Sequence, residues 1–195
     1  WLVGQIVRHP GKKRLLFITR ALQKAYEQRY HLQFAPQTAL VVPDGVDLER
    51  YQDLPAPETA RRTLGLPDGL TALTSGHLYA GRGAPLFLDL AGRFPQVNFV
   101  WVGGRPEDVA RWQAQSAGLG NVRFTGFAPN AQMPLYQAAA DFLLMPYERT
   151  IRGSSGGNIA EIYSPLKMFE YLAAGRAILT SDLPVLREVL NEDNA

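Results

Sequence analysis

Val97-Asn-Phe-Val-Trp-Val-Gly-Gly-Arg-Pro106 reads as an apolar run, a glycine turn and a helix start, in that order. Valine, phenylalanine and tryptophan suit the pleated backbone of a strand. Pro106 suits a first helical position, where its missing N–H costs no hydrogen bond. The apolar run is continuous rather than alternating, so both faces of the strand meet apolar neighbours, as in a parallel sheet covered by helices on both sides. The same phrase recurs outward from this stretch. Strand 71–74 precedes a helix over 84–93, and strand 97–102 precedes a helix over 106–117. Next come Val122-Arg-Phe124, a helix near 135–139, Asp141-Phe-Leu-Leu-Met145, a helix opening at Ser164, strand 177–180 and a helix over 185–190. Short strands each followed by a helix, joined by right-handed crossovers, predict an α/β fold. It is a Rossmann-like doubly wound parallel sheet, with ligands at the carboxyl ends of its strands.

Upstream, residues 14–19 read as a strand, 20–30 as a helix capped by Thr19, and 39–42 as a second strand ended by the turn Pro43-Asp-Gly45. The proline-bearing stretch 53–58 is a linker into a short helix, 58–64, with Gly65 suited to its C-terminal stop. The 195 residues with 46% hydrophobic content can bury a substantial core. No apolar run approaches the roughly 18 residues of a spanning helix and no signal-peptide pattern opens the chain, which predicts a cytoplasmic location. Zero cysteines rule out disulfides and thiolate metal sites. A net charge of +2 is too balanced for nucleic-acid binding, although the local patch from Arg8 to Arg14, with Lys12 and Lys13, leaves room for a peripheral contact with anionic lipid. The chain opens on Trp1 rather than Met, and its last helical segment stops near the end, which predicts a piece of something longer.

The chemistry is concentrated in Ser164-Pro-Leu-Lys-Met-Phe-Glu-Tyr171, closed by Gly175. Ser164 is the expected cap and Pro165 the first helical residue. The free N–H groups of Leu166 and Lys167 then point outward at the positive end of the helix dipole, which is where an anion binds. Glu170, four residues after Leu166, leans back toward that first turn. A carboxylate accepts hydrogen bonds from a vicinal hydroxyl pair such as that of ribose, so the motif predicts a site for a nucleotide sugar. The competing reading is plain: Ser-Pro opens many helices, and a second-turn glutamate is often a solvated charge.

Three further loops fall at predicted strand ends. Gly76-His-Leu-Tyr-Ala-Gly-Arg-Gly83 combines close backbone approach with the forked cation of Arg82, and His77 offers a second donor. It is not a Walker loop, because no Gly-Lys-Ser/Thr follows. Gly103-Gly-Arg105 is better explained by turn formation, since Glu107 and Asp108 would repel a phosphate there. Thr125-Gly-Phe-Ala-Pro129 presents backbone groups and an aromatic ring to a base, or else buries Phe127 in the core. The low-complexity stretch 152–157 sits in a long connection, 147–163, of the kind that is often functional. No nucleophile stands beside a base, and the histidines His9, His31 and His77 lack metal-ligand spacing.

In this order the stretches Val41-Val-Pro-Asp-Gly-Val-Asp47, 76–83, Phe99-Val-Trp-Val-Gly-Gly104, Asn121-Val-Arg-Phe-Thr-Gly-Phe127, Ala140-Asp-Phe-Leu-Leu-Met-Pro146, 164–175 and Asp182-Leu-Pro-Val-Leu-Arg-Glu-Val189 are similar to a known pattern. The chain resembles the C-terminal, donor-binding half of family 4 retaining glycosyltransferases, which have the two-domain GT-B fold. The resemblance implies residues 1–43 as the end of an N-terminal acceptor domain and 44–195 as the nucleotide-sugar-binding domain. It implies Glu170 on the nucleotide ribose and the Leu166 and Lys167 amides on the diphosphate. Arg82 would close on the phosphates, His77 would stand where an arginine is common, and Gly126 with Phe127 would lie along the base. Gly81, Ser164 and Pro165 would complete the donor site.

Charge on the departing diphosphate would then be met by Arg82, Lys167 and the helix start, with no metal ion or cofactor. One departure is evident. The family often carries a second glutamate eight residues before the first, in contact with the donor sugar; Ile162 stands there, with Glu161 adjacent. The expected partners are a nucleotide sugar and a glycan, lipid or small-molecule acceptor. The alternatives are a nucleotide-sugar epimerase of similar fold and a binding domain without catalysis.

Overall fold

The computed structural model describes residues 2–9, 11, 14–152 and 157–195. The readings placed on Lys12, Lys13 and residues 153–156 lie outside the described residues. In chain order the elements are α1 Leu2–Arg8, β1 Leu15–Phe17, α2 Arg20–Tyr30, β2 Ala39–Val41, a 3-10 helix Leu48–Tyr51, α3 Pro57–Leu64, β3 Thr71–Ser75, α4 Ala84–Arg93, β4 Asn98–Val102, α5 Pro106–Gln115, β5 Val122–Gly126, α6 Met133–Ala138, β6 Phe142–Met145, α7 Leu166–Ala174 and β7 Ala177–Thr180.

Five strands form one parallel sheet in the order β5-β4-β3-β6-β7. The order turns back at β3: β4 and β5 extend to one side and β6 and β7 to the other. That reversal opens a crevice beyond the carboxyl ends of β3 and β6, the usual ligand position in such sheets. Both faces are covered, as the continuous apolar strands predict. Phe99 and Trp101 of β4 pack on one face with Phe87 of α4 and Phe124 of β5, the rings of Phe87 and Trp101 meeting edge-on at 5.2 Å. Leu73, Val100, Leu143 and Met145 pack on the other with Met168 and Tyr171 of α7.

The strands β1 and β2 form a separate parallel pair. Helix α2 ties this pair to the main body. Thr19 caps it as expected, accepting from the Leu22 amide at 2.9 Å. Glu188, from near the other end of the sequence, accepts from the Arg20 and Ala21 amides at 2.8 and 2.9 Å. The predicted helix over 185–190 is instead a 3-10 helix, Leu186–Glu188. Between Pro184 and the turn at Asn191 there is too little chain to repay an α-helical nucleus, and the bonds Leu186 N to Leu183 O and Val189 N to Leu186 O close shorter rings.

Candidate functional site

The start of α7 differs from its expected form by one residue. Pro165 has φ −78° and ψ 117°, so it is the extended residue before the helix, which begins at Leu166 without a side-chain cap. Proline fixes φ but leaves ψ free, and an extended ψ here puts Ser164 one position too far out to cap. The correction leaves the amides of Leu166 and Lys167 as the first two of the helix, with no partner four residues back and no hydroxyl competing for them. Ser164 itself lines a small cleft with Thr19, Tyr163 and Met168.

Lys167 turns back across the crevice. Its Nζ donates to the Ser75 carbonyl at 2.6 Å and to Thr74 Oγ1 at 3.4 Å, both at the carboxyl end of β3. It also lies 5.0 Å from the centre of the Tyr147 ring. Burial, with the Arg82 guanidinium adding repulsion, pulls its pKa down to about 7 against an opposing pull from Glu170. Next along the helix, the Tyr171 hydroxyl accepts from the Ser75 amide at 2.9 Å, fixing α7 against β3.

Arg82 approaches the same aromatic group from the other side. Its Nη1 donates to the Tyr163 hydroxyl, and its guanidinium carbon lies 4.6 Å from the Tyr163 ring centre and 5.8 Å from that of Tyr147. Burial opposes the Arg82 charge, but the hydrogen bond and the phenol oxygens outweigh it and leave the guanidinium more firmly protonated. The structure therefore brings Arg82 and Lys167 together around Tyr147. The loop that carries Arg82 is pressed onto the exit of β6: Gly81 and Gly83 have φ of +86° and +87°, and a Cβ at either would collide with the carbonyl of Thr150 or Pro146.

Glu170 is half-buried, and its Oε2 accepts from Gln137 Nε2 at 3.1 Å. No cation is paired with it among the described residues. His77 is exposed and stacks on Tyr79 at 4.8 Å, with Arg105 over the far ring at 5.5 Å. Gly126, at φ +72°, bridges to Gly103, and Phe127 beyond it is 84% exposed, so the reading of Phe127 as a core residue does not hold. Glu161 is exposed in a cleft of about 650 Å³ with Arg149, Asp182 and Arg187. That cleft shares no lining residue with the larger cavity beside Arg82.

The sequence reading passed over Tyr147, Tyr163, Tyr51 and Gln137. Tyr147 follows the end of β6 at the crevice, where position alone singles it out. Gln137 is a polar residue inside the small apolar helix stretch 135–140, which signals a buried hydrogen bond.

Residues 70–195 match the family model for glycosyl transferases group 1. The chain belongs to this family. A phosphatidyl-myo-inositol mannosyltransferase of Mycolicibacterium smegmatis is 30% identical over 173 residues, covering 86% of this chain and 40% of that protein. A 2-deoxystreptamine glucosyltransferase of Streptomyces kanamyceticus is 32% identical over 133 residues, 62% of this chain and 33% of that protein. The chain thus spans less than half the length of these relatives. Among solved structures, HepE of Anabaena in complex with UDP and glucose superposes with a TM-score of 0.74 at 20% identity, over 98% of this chain and 50% of that one. This likeness extends the shared fold to residues before the family match, including β1 and β2.

Proposed function

We propose that this chain is the donor-binding half of a retaining glycosyltransferase that uses a nucleotide-diphosphate sugar without a metal ion or a cofactor. Residues 1–43 belong to the acceptor domain and its connection, and residues 44–195 form the donor domain. The observation that carries this reading is the uncapped start of α7, with its two free amides beside the Lys167 ammonium and the Glu170 carboxylate one turn on. A diphosphate on those amides would lie at the positive end of the helix, with Lys167 and Arg82 within reach of its charge. The acceptor-only Glu170 suits the ribose hydroxyls, and the exposed Phe127 suits the base. HepE binds UDP and glucose, which agrees with a nucleotide donor.

Arg82 is held by Tyr163 and would exchange that bond for phosphate oxygens as the donor enters. Gly81, with its carbonyl bonded to the Glu148 amide at 3.1 Å, keeps the loop in place for that exchange. His77, Ser164 and Pro165 would complete the donor site. Glu161 would contact the donor sugar only after the connection before α7 rearranges, because its present cleft is a different one. The proposed setting is the cytoplasm, with a peripheral membrane contact in the whole protein. Among the described residues no helix is long and apolar enough to cross a membrane. The chain alone binds donor and transfers little, since a shared site needs both domains.

A thermal-shift series with UDP, GDP and ADP tests the site, because a ligand of the folded state raises stability by mass action. Glu170→Ala should weaken binding of the preferred diphosphate by about 1–3 kcal/mol, the range for losing a charged hydrogen-bond partner. Equal affinity in calorimetry for both versions would overturn the ribose role.

A further inference from the structure

Gln137 is a fully buried polar neighbour of the site. It lies on α6 with no exposed surface. Its Nε2 reaches Glu170 Oε2, while its Oε1 is buried with no hydrogen-bond partner. Beside it lies the Tyr51 hydroxyl, contributed by the 3-10 helix that enters the main body, and this oxygen too is buried without a partner. The orientation of the Gln137 amide follows from chemistry. A carboxylate only accepts, so the amide NH2 must face Glu170 and the carbonyl must face away. That carbonyl has no hydrogen-bond partner among the described residues, so the bond to Glu170 is the one polar contact that fixes the amide.

We infer that Gln137 is a positioning residue for nucleotide recognition: Gln137 Nε2 donates to Glu170 Oε2 at 3.1 Å, and Glu170 Oε1 is left for the ribose hydroxyls. This inference rests on the donor reading above and adds the means by which the carboxylate is held. A half-buried glutamate still samples several rotamers, and one oxygen pinned by a buried amide selects among them. Recognition of a hydroxyl pair needs that selection, because two bonds to neighbouring oxygens tolerate little displacement. The consequence is discrimination between ribose and 2′-deoxyribose, set from a side chain that never touches the nucleotide.

The test is calorimetric titration of the full chain with UDP, GDP and ADP, each beside its 2′-deoxy counterpart. The expected result is a ribo preference of at least tenfold for the base that binds. Gln137→Met, close in shape and unable to hydrogen-bond, should cut this preference at least fivefold, with affinity for the 2′-deoxy form, which keeps only the 3′-hydroxyl, falling less. A merely structural role for Gln137 would move both affinities together and leave their ratio intact. Gln137→Leu, a second apolar substitution, should lower the ratio in the same direction and carries the test if Gln137→Met does not fold. A preference abolished by Glu170→Ala but kept at full size in the folded Gln137→Met or Gln137→Leu chain overturns the inference alone. Absence of a ribo preference in the unsubstituted chain overturns the ribose reading and this inference with it.

Discussion

Lys167 shows how one half-buried cation would link the proposed donor binding to pH. Its pKa stands at about 7 in the folded chain, against 10.5 for an ordinary lysine. Between those values the unfolded chain holds a proton that the folded chain lacks, so this residue's contribution to stability rises as pH climbs from 7 to 10.5. A diphosphate beside the ammonium acts in the opposite sense and raises the folded-state value. Binding above pH 7 should therefore take up about half to one proton, and affinity should fall toward tenfold per pH unit until the raised value is reached. Below pH 7 the lysine is protonated with or without ligand, so this contribution disappears. Calorimetry at pH 8.5 in two buffers of different ionisation heat reads the uptake directly, and Lys167→Met should abolish it. Uptake that survives the substitution would place the linked group elsewhere. The same substitution removes a desolvated charge and should leave the melting temperature at pH 7 unchanged or higher. The residue type was legible in the sequence as a cation at a helix start, but its direction was not. That direction depends on the Ser75 carbonyl and the Tyr147 ring, which lie 92 and 20 residues away along the chain.

At the scale of elements, what was legible is what depends on neighbours in sequence. Helix α2 appears where Thr19 predicts it, α3 ends at Gly65 in a left-handed conformation, and the strands fall on their apolar runs. What was missed needs partners distant in sequence or a backbone angle that residue type leaves open. The start of α7 turned on the ψ of Pro165, and the buried bond between Gln137 and Glu170 joins two helices 33 residues apart. The cap on α2 is the clearest case. All four of its first amides are satisfied: Arg20 and Ala21 by Glu188, Leu22 by the Thr19 hydroxyl and Gln23 by the Thr19 carbonyl. Half of that set comes from a glutamate 167 and 168 residues away, and its negative charge also suits the helix start. Glu188→Ala should cost about 1–2 kcal/mol of stability, as loss of a helix cap does. Glu188→Gln, which keeps one accepting oxygen without the charge, should cost less. Urea unfolding at constant slope measures both, and equal stability of all three chains would show that solvent satisfies these amides equally well.

At the scale of the whole molecule, two sheets of different character share one chain. The five-stranded sheet has helices on both faces, whereas the β1–β2 pair is buried on one side only, through Phe17 and Ala39. Its other side shows Leu16 at 66%, Leu40 at 44%, Ile18 at 38% and Val42 at 48% exposure. Leu16 and Leu40 are direct partners in the register, so these side chains make one continuous apolar strip. A parallel pair with one bare face departs from the usual rule that parallel strands are covered on both sides, and a two-stranded sheet adds little stability of its own. Its place is held by the α2–Glu188 contact instead. An apolar strip on a strand pair with open edges is a surface for association. The chain should therefore self-associate as its concentration rises, with a weight-average sedimentation coefficient that climbs over the range from about 10 to 500 μM. Replacing the partners by an opposite-charge pair, Leu16→Lys with Leu40→Glu, keeps a favourable cross-strand contact while making the strip polar. That double variant should sediment as a monomer throughout, with nucleotide affinity unchanged because the proposed donor crevice lies on the other sheet. Association that persists in the double variant would assign it to a different surface and leave the β1–β2 strip without a role in it.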